Sequence, residues 1–229
     1  MEKDFFELSP ESRTALTLEA RSRNEPLRAR WNELDPDFGQ AWRWRAEAAA
    51  KHIGPKASVV DLGCGAMVLE NYLAPTQTYL PADLCRRDAR TIILDLNAEL
   101  DRLPDGDCGV LLGVLEYVYA PDALLAALHR RYRQVVLSFN ILHRSRGIEA
   151  RLASGWVNHF TLTELKRRLR KTGFAIRRAH RVGRREEYIF DLRSRAPRSA
   201  RRPLATARPF QRVAQGFARL LPGGSKRRP

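Results

Sequence analysis

The stretch Val59-Val60-Asp61-Leu62-Gly63-Cys64-Gly65 constrains this chain more than any other. A β-branched, apolar run marks a short buried strand, an acid stands near its end, and two glycines then turn the chain toward a helix. In an open α/β sheet, ligands bind in the crevice beyond the carboxyl end of such a strand, and glycines there let backbone approach the ligand. Asp61 narrows the ligand's chemistry. A carboxylate repels the pyrophosphate of a dinucleotide and attracts a cationic or amino-bearing group. The dinucleotide pattern also fails on spacing, because its third glycine would fall at Val68.

Three further strands follow in the order such a sheet requires. Tyr79-Leu80-Pro81-Ala82-Asp83 ends in an acid 18 residues beyond Gly65, where these folds hold a carboxylate against ribose hydroxyls. Thr91-Ile92-Ile93-Leu94 runs into Asp95-Leu96-Asn97, and Gly109-Val110-Leu111-Leu112-Gly113 runs into Val114-Leu115-Glu116-Tyr117-Val118. The bland alternative makes the glycines an ordinary turn and each acid a helix cap or solvated charge. Three acids at three successive strand ends, each after an apolar run, favour a ligand site.

This combination resembles the class I S-adenosylmethionine-dependent methyltransferases, whose first motif reads acid-x-Gly-x-Gly-x-Gly; here Met67 occupies the third glycine position and adds bulk near the methionine end. Together with Asp95-Leu96-Asn97 and Gly113-Val114-Leu115-Glu116-Tyr117-Val118, the motif looks most like the bacterial MetW-like group, over residues 39 to 192. The resemblance implies an α/β fold: a doubly wound, mostly parallel, seven-stranded Rossmann-like methyltransferase sheet with a terminal antiparallel hairpin. It implies S-adenosyl-L-methionine as cofactor, held by Asp61, Gly63, Cys64, Gly65, Asp83, Asp95, Leu96 and Gly113. In that reading Asp61 anchors the methionine end directly or through water, the glycines give backbone access, Asp83 holds the ribose, and Asp95 and Leu96 hold adenine.

Charge divides the chain unevenly. The formal net charge is +15, with 41 Lys plus Arg against 26 Asp plus Glu, but residues 193–229 hold 11 of the bases and no acid. That leaves 30 bases against 26 acids in residues 1–192, an ordinary balance for a soluble domain. The expected organisation is an N-terminal helical segment over 1–37, a cofactor-binding domain over 38–192 and a basic flexible tail over 193–229. Within the tail, Phe210, Val213, Phe217, Leu220 and Leu221 fall near one helical face, so a basic amphipathic helix can dock on an anionic membrane or a protein partner. An inert solvated tail is the equal alternative, and an RNA-binding arm is a third.

Three cysteines, Cys64, Cys85 and Cys108, form no metal-ligand spacing, so no metal is expected. They fit a reducing, cytoplasmic compartment, with the tail able to hold the protein at the inner face of a membrane. The first residues lack the basic-then-apolar order of a secretory signal, and no apolar run reaches about 18 residues.

Helices are expected over 9–23, with Ser9 as cap and Pro10 at the first position, and from Phe38 to Ile53, stopped by Gly54-Pro55. In the latter, Trp42 reads as core packing in preference to a lid over the pocket; Trp44 has the same two readings. Pro121 to Arg131 reads as a helix, Gln134 to Phe139 as a fifth, two-sided buried strand, and Thr161-Leu162-Thr163-Glu164 as a reciprocal cap on a helix ending at Gly173. Phe174–Arg181 and Glu186–Leu192 read as the hairpin.

Methyl transfer needs alignment more than a dedicated base, so the acceptor side is less legible. Its candidates are Glu116, Tyr117, His143, Asn158 and His159, all in loops beyond strand carboxyl ends. His159 suits proton transfer with its ordinary pKa of about 6.5, but a histidine between apolar neighbours is more often a hydrogen-bonded structural residue. Arg144 and Arg146 are candidates for an anionic group, with a solvated loop as the plainer reading. The expected function is methyl transfer to a small-molecule, glycan or lipid-linked acceptor. The alternatives are an RNA methyltransferase using the basic tail and a non-catalytic regulatory partner with the same fold.

Overall fold

Seven strands build a single sheet: β1 Ser58–Leu62, β2 Thr78–Asp83, β3 Ile92–Ile93, β4 Cys108–Leu112, β5 Gln134–Asn140, β6 Phe174–Val182 and β7 Glu187–Ser194. Their order is β3-β2-β1-β4-β5-β7-β6. Neighbours among β1 to β5 pair parallel, while β7 runs antiparallel to both β5 and β6. This is the Rossmann-like methyltransferase sheet with its terminal hairpin, seen in a computed structural model that describes residues 5–32, 34, 38–143, 147–182 and 186–194. Arg144, Arg146, the hairpin turn at 183–185 and the tail beyond Ser194, with its amphipathic stripe, lie outside the described residues.

The helices are α1 Pro10–Arg23, α2 Phe38–Ala50, α3 Pro121–Arg131, α4 Ile148–Leu152 and α5 Leu162–Lys171. Alternation along the strands sends side chains to two apolar layers. Val60, Leu62, Val135, Leu137 and Phe139 face α3 and α5 through Leu124, Leu128, Leu165 and Leu169. Val59, Val110, Val136 and Ile189 face α2 through Ala46 and Ala49. Small residues on α2 let it lie close to the sheet, and Gly109 on β4 does the same for Tyr132, whose ring would be 2.6 Å from an added Cβ. Because Asp61 alternates with Val60 and Leu62, its carboxyl group points to the α2 side, which sets up the site described below.

Local signals place the helix ends. The Ser9 hydroxyl accepts from the Ser12 N–H at 3.2 Å with Pro10 in the first turn. At α5, Thr161 Oγ1 accepts from the Glu164 N–H while Glu164 Oε2 accepts from the Thr161 N–H at 2.8 Å. Three features depart from expectation. The segment after the glycine turn is a five-residue 3-10 helix, Val68–Tyr72, in place of an α-helix. It starts from Met67 in the left-handed region, φ 53°, without a side-chain cap, and Pro75 follows shortly. β3 has only two residues. Helix α4, at five residues, is too short to show a periodic apolar pattern. Among the described residues no helix is long and apolar enough to cross a membrane.

Thr161→Ala removes one half of the α5 cap and leaves the other. It is expected to cost about 1 kcal/mol, read as a lower denaturation midpoint with an unchanged denaturant slope; an unchanged midpoint would show that the cap does not hold the helix end.

Candidate functional site

A cleft opens at the carboxyl ends of β1, β2 and β4, and Asp61, Gly63, Cys64, Gly65, Asp83, Asp95, Leu96 and Gly113 all line it. Together with the open solvent at its mouth it spans about 1090 Å³. Its walls come close to the backbone where glycines allow it. A Cβ on Gly65, φ +50°, would lie 2.9 Å from the Trp42 ring, and one on Gly113, φ +70°, would lie 2.4 Å from Arg45 Nη1. No ordinary side chain fits either position.

Each strand-end acid has a definite setting. Asp61 is 3% exposed and its Oδ2 accepts from the Tyr79 hydroxyl at 2.8 Å. Burial pushes its carboxyl up to about 7, helped by the neighbouring Asp83 and opposed by the Tyr79 hydrogen bond and by Arg45. Asp83 is also buried; Oδ2 accepts from the Gly65 N–H at 2.8 Å, and Oδ1 accepts from the Cys85 N–H at 3.0 Å and from Arg87 Nη2 at 3.2 Å. Asp95 Oδ1 accepts from the Asn97 N–H at 2.8 Å, and Asn97 Oδ1 in turn accepts from the Tyr119 N–H at 2.7 Å. These bonds fix the second and third acids in place and leave lone pairs for a ligand. The Cys64 thiol is pushed well up by burial, then by Asp61 and Asp83, so it stays protonated and inert.

The sequence reading missed Arg45. It stands on α2 one turn after Trp42, lines the same cleft and donates from Nη1 to Glu187 Oε1 at 3.3 Å. Both side chains of that pair are nearly buried, and the Ser138 hydroxyl donates to the same Glu187 oxygen at 2.7 Å. The remaining N–H groups of Arg45 make no hydrogen bond among the described residues. Helical spacing held the signal: Arg45, Trp42, Ala46 and Ala49 share one face. Trp42, expected in the core, instead forms cleft wall over Gly65, and Trp44 is 65% exposed to solvent.

Among the acceptor-side candidates, Tyr117 lines the cleft and the others do not. Glu116 is fully buried beneath it, where Oε1 accepts from the Asn140 N–H at 2.8 Å and from Asn140 Nδ2 at 3.0 Å, tying the β4 end to β5. Burial raises its carboxyl above the usual range. Asn158 Nδ2 donates to the carbonyls of Leu115 and Val118, both at 2.7 Å, and so braces the same loop. His159 accepts at Nδ1 from Arg151 Nε at 3.1 Å, and burial and that guanidinium lower its pKa. The lone pair a base needs is therefore already engaged. His143 is exposed and away from the cleft. The end of the cleft beside Tyr117 is walled by Pro26, Leu27, Trp31 and Gly155, with Thr17 reaching in from α1. Among the described residues, no group of three His, Cys, Asp or Glu stands together as a metal site.

No protein-family model matches the chain, and no curated protein sequence does. Solved structures match it in fold. CalO1, a methyltransferase in calicheamicin biosynthesis in its SAH-bound form, superposes with a TM-score of 0.54 at 16% identity over 68% of this chain. This chain spans only 54% of that one. The 1,6-didemethyltoxoflavin-N1-methyltransferase of Burkholderia thailandensis, with 1,6-didemethyltoxoflavin and S-adenosylhomocysteine bound, gives a TM-score of 0.58 at 19% identity, covering 82% of this chain and 91% of that one. NcsB1, an O-methyltransferase from neocarzinostatin biosynthesis in complex with S-adenosylmethionine and 2-hydroxy-5-methyl naphthoic acid, gives 0.56 at 18%, covering 81% and 69%.

Asp61 generates a stability prediction. Its carboxyl has a raised folded pKa of about 7 against about 3.9 when unfolded, so between those values the folded state binds the extra proton. Stability without ligand is expected to fall as pH rises from about 4 to 7, by on the order of 4 kcal/mol from this group. Denaturation of Asp61→Asn across that range should show a flatter profile; an identical slope in both proteins would contradict the assignment. In fold, the seven-stranded sheet matches those of these solved methyltransferases.

Proposed function

We propose that this chain is a methyltransferase that uses S-adenosyl-L-methionine and acts on a small-molecule acceptor. The observation that carries the reading is the opposed pair at the β1 end of the cleft, Asp61 and Arg45. The amino-acid end of that cofactor bears an ammonium and a carboxylate, and the pair offers each its opposite charge and hydrogen-bonding partner. Asp83 keeps lone pairs for ribose hydroxyls, Asp95 has its second oxygen for the adenine amino group, and Leu96 packs against the base. Gly63 and Gly65 leave room for the ligand along the backbone. The fold neighbours with S-adenosylhomocysteine or S-adenosylmethionine bound support the same assignment, and the motif combination favours the MetW-like group within the class.

When bound, the cofactor supplies a methyl group already activated by positive sulfur. The protein's own share is alignment and exclusion of water. Trp42 and Trp31 wall the cleft on either side, and the buried thiol of Cys64 does not compete as a nucleophile. The segment carrying Thr17, Pro26, Leu27 and Trp31 covers the acceptor end, which favours a small molecule over a glycan, lipid-linked or RNA acceptor. Arg45 is the one cationic side chain lining the cleft among the described residues, so nothing there tracks a phosphate backbone.

Calorimetric titration with S-adenosylhomocysteine tests the reading. Arg45→Met should weaken binding about 10- to 100-fold, the loss of a charge-assisted bond, and Asp83→Ala should lose most of the affinity. Near pH 7 the wild-type protein should release protons on binding as Asp61 ionises against the ammonium, and affinity should rise with pH through that region. Near-normal binding in both variants would contradict the proposal.

A further inference from the structure

Beside the Tyr117 end of the cleft lies a cation without a counter-ion among the described residues. Arg30 is nine-tenths buried, and no carboxylate stands within ion-pair distance of it among the described residues. Four rings enclose its guanidinium: Trp31 at 4.4 Å, Phe6 at 4.7 Å, Tyr117 at 5.4 Å and Phe5 at 5.8 Å. Nε donates to the Ser154 carbonyl at 2.9 Å, Nη2 donates to the Tyr117 hydroxyl oxygen at 3.0 Å, and Nη1 is buried with no hydrogen-bond partner. Gly155 makes the arrangement possible, since a Cβ there would lie 2.9 Å from Arg30 Cδ.

The hydroxyl oxygen of Tyr117 accepts a second bond, from Trp156 Nε1 at 2.7 Å. Both lone pairs are thus taken by N–H donors, one of them charged, and the O–H hydrogen has no acceptor among the described residues. Tyr117 lines the cleft, and a ligand there is the acceptor proposed for that hydrogen. A buried cation with no carboxylate beside it among the described residues is costly, and aromatic faces offset only part of the cost. Negative charge placed at the Tyr117 hydroxyl would complete the arrangement. No lining group at this end offers a free basic lone pair, so the site is built for an acceptor that arrives already ionised.

We infer that the acceptor is an acidic hydroxyl on a planar ring, a phenol or enol bound as its oxyanion on the Tyr117 O–H, with Arg30 supplying the countercharge through Tyr117. This rests on the methyl-transfer reading and names the substrate class of the same cleft. Trp31, Tyr117 and Pro26 supply cyclic side chains to the lining of this end, and the charged groups elsewhere in the cleft are Arg45 and the three acids. The acceptor gives its proton to solvent on ionising. Its oxygen lone pair then forms the bond to the methyl carbon as the carbon–sulfur bond breaks, the bonding pair going to sulfur. Oxyanion and sulfonium are both neutralised, so no proton remains for a base to take. Tyr117 touches the acceptor, and Arg30 is a positioning residue acting through it.

The probe is 4-nitrophenol, whose phenolate absorbs in the visible and so reports its own ionisation when mixed with the full chain, with and without S-adenosylhomocysteine. The expected result is an enriched phenolate band, equivalent to an apparent pKa of the bound probe lowered by about one unit, a tenfold change in its ionisation constant. Tyr117→Phe should abolish the shift, Arg30→Met should abolish it, and Arg30→Lys should restore part of it. Retained thermal stabilisation by S-adenosylhomocysteine marks a variant as folded; if Arg30→Met fails that check, Tyr117→Phe, which removes one oxygen, carries the test. Binding as the neutral phenol, absence of binding, or an intact shift in Tyr117→Phe would overturn the inference. A phenolate shift in wild-type protein that S-adenosylhomocysteine does not stabilise would instead count against the cofactor reading alone.

Discussion

The buried carboxylate of Asp83 joins the parts of this molecule that make the cleft. One oxygen holds the Gly65 N–H at 2.8 Å and so fixes the turn after β1 against the end of β2. The other accepts from Arg87, whose same Nη2 donates to the Trp31 carbonyl at 2.9 Å. A single polar chain therefore runs from the glycine turn to the segment that covers the acceptor end. Buried polar groups of this kind specify geometry because each is costly to leave unmade. Trp31 in turn stacks on Arg30 and meets the Tyr117 ring edge-on at 4.8 Å. The two ends of the cleft are linked through packed and hydrogen-bonded groups along the way.

Charge is divided along the cleft in a way that suits the proposed reaction. The acids Asp61, Asp83 and Asp95 lie at the strand ends, where a cofactor with an ammonium, hydroxyls and an amino group has donors to offer. The cations Arg45 and Arg30 flank them on α2 and on the covering segment. Arg45 is held by Glu187, which the antiparallel insertion of β7 brings beside Asn140 at the carboxyl end of β5. The hairpin thus does more than complete the sheet: it supplies the acid that positions the guanidinium. Glu116, Asn140 and Asn158 form a buried brace under the same region.

Much of the fold was legible because its signals are local. The acid-terminated apolar runs, Pro121 opening α3 and the reciprocal cap at Thr161 and Glu164 each specify an element within a few residues. Where the reading departed from the structure, tertiary context decided. Met67 in a left-handed conformation turned an expected α-helix into a short 3-10 segment, and Trp42 became cleft wall because Gly65 leaves a space for its ring. The strand-end acids and glycines could be brought together from sequence because sheet topology puts strand ends side by side. Arg30 and Arg45 could not, since their partners, Tyr117 and Glu187, lie 87 and 142 residues away. Glu116, Asn158 and His159 looked like acceptor-side groups from their loop positions. None of the three lines the cleft: Glu116 and Asn158 are buried beneath it, bonded to Asn140 and to the carbonyls of Leu115 and Val118, and His159 is bonded to Arg151.

The most direct measurement is a crystal structure of the protein grown with S-adenosylhomocysteine. The account predicts the amino-acid end between Asp61 and Arg45, the ribose hydroxyls on Asp83 and the adenine beside Asp95 and Leu96, with the sulfur directed toward Tyr117. A ligand bound in the reverse direction, or a cleft that stays empty at saturating ligand, would contradict it.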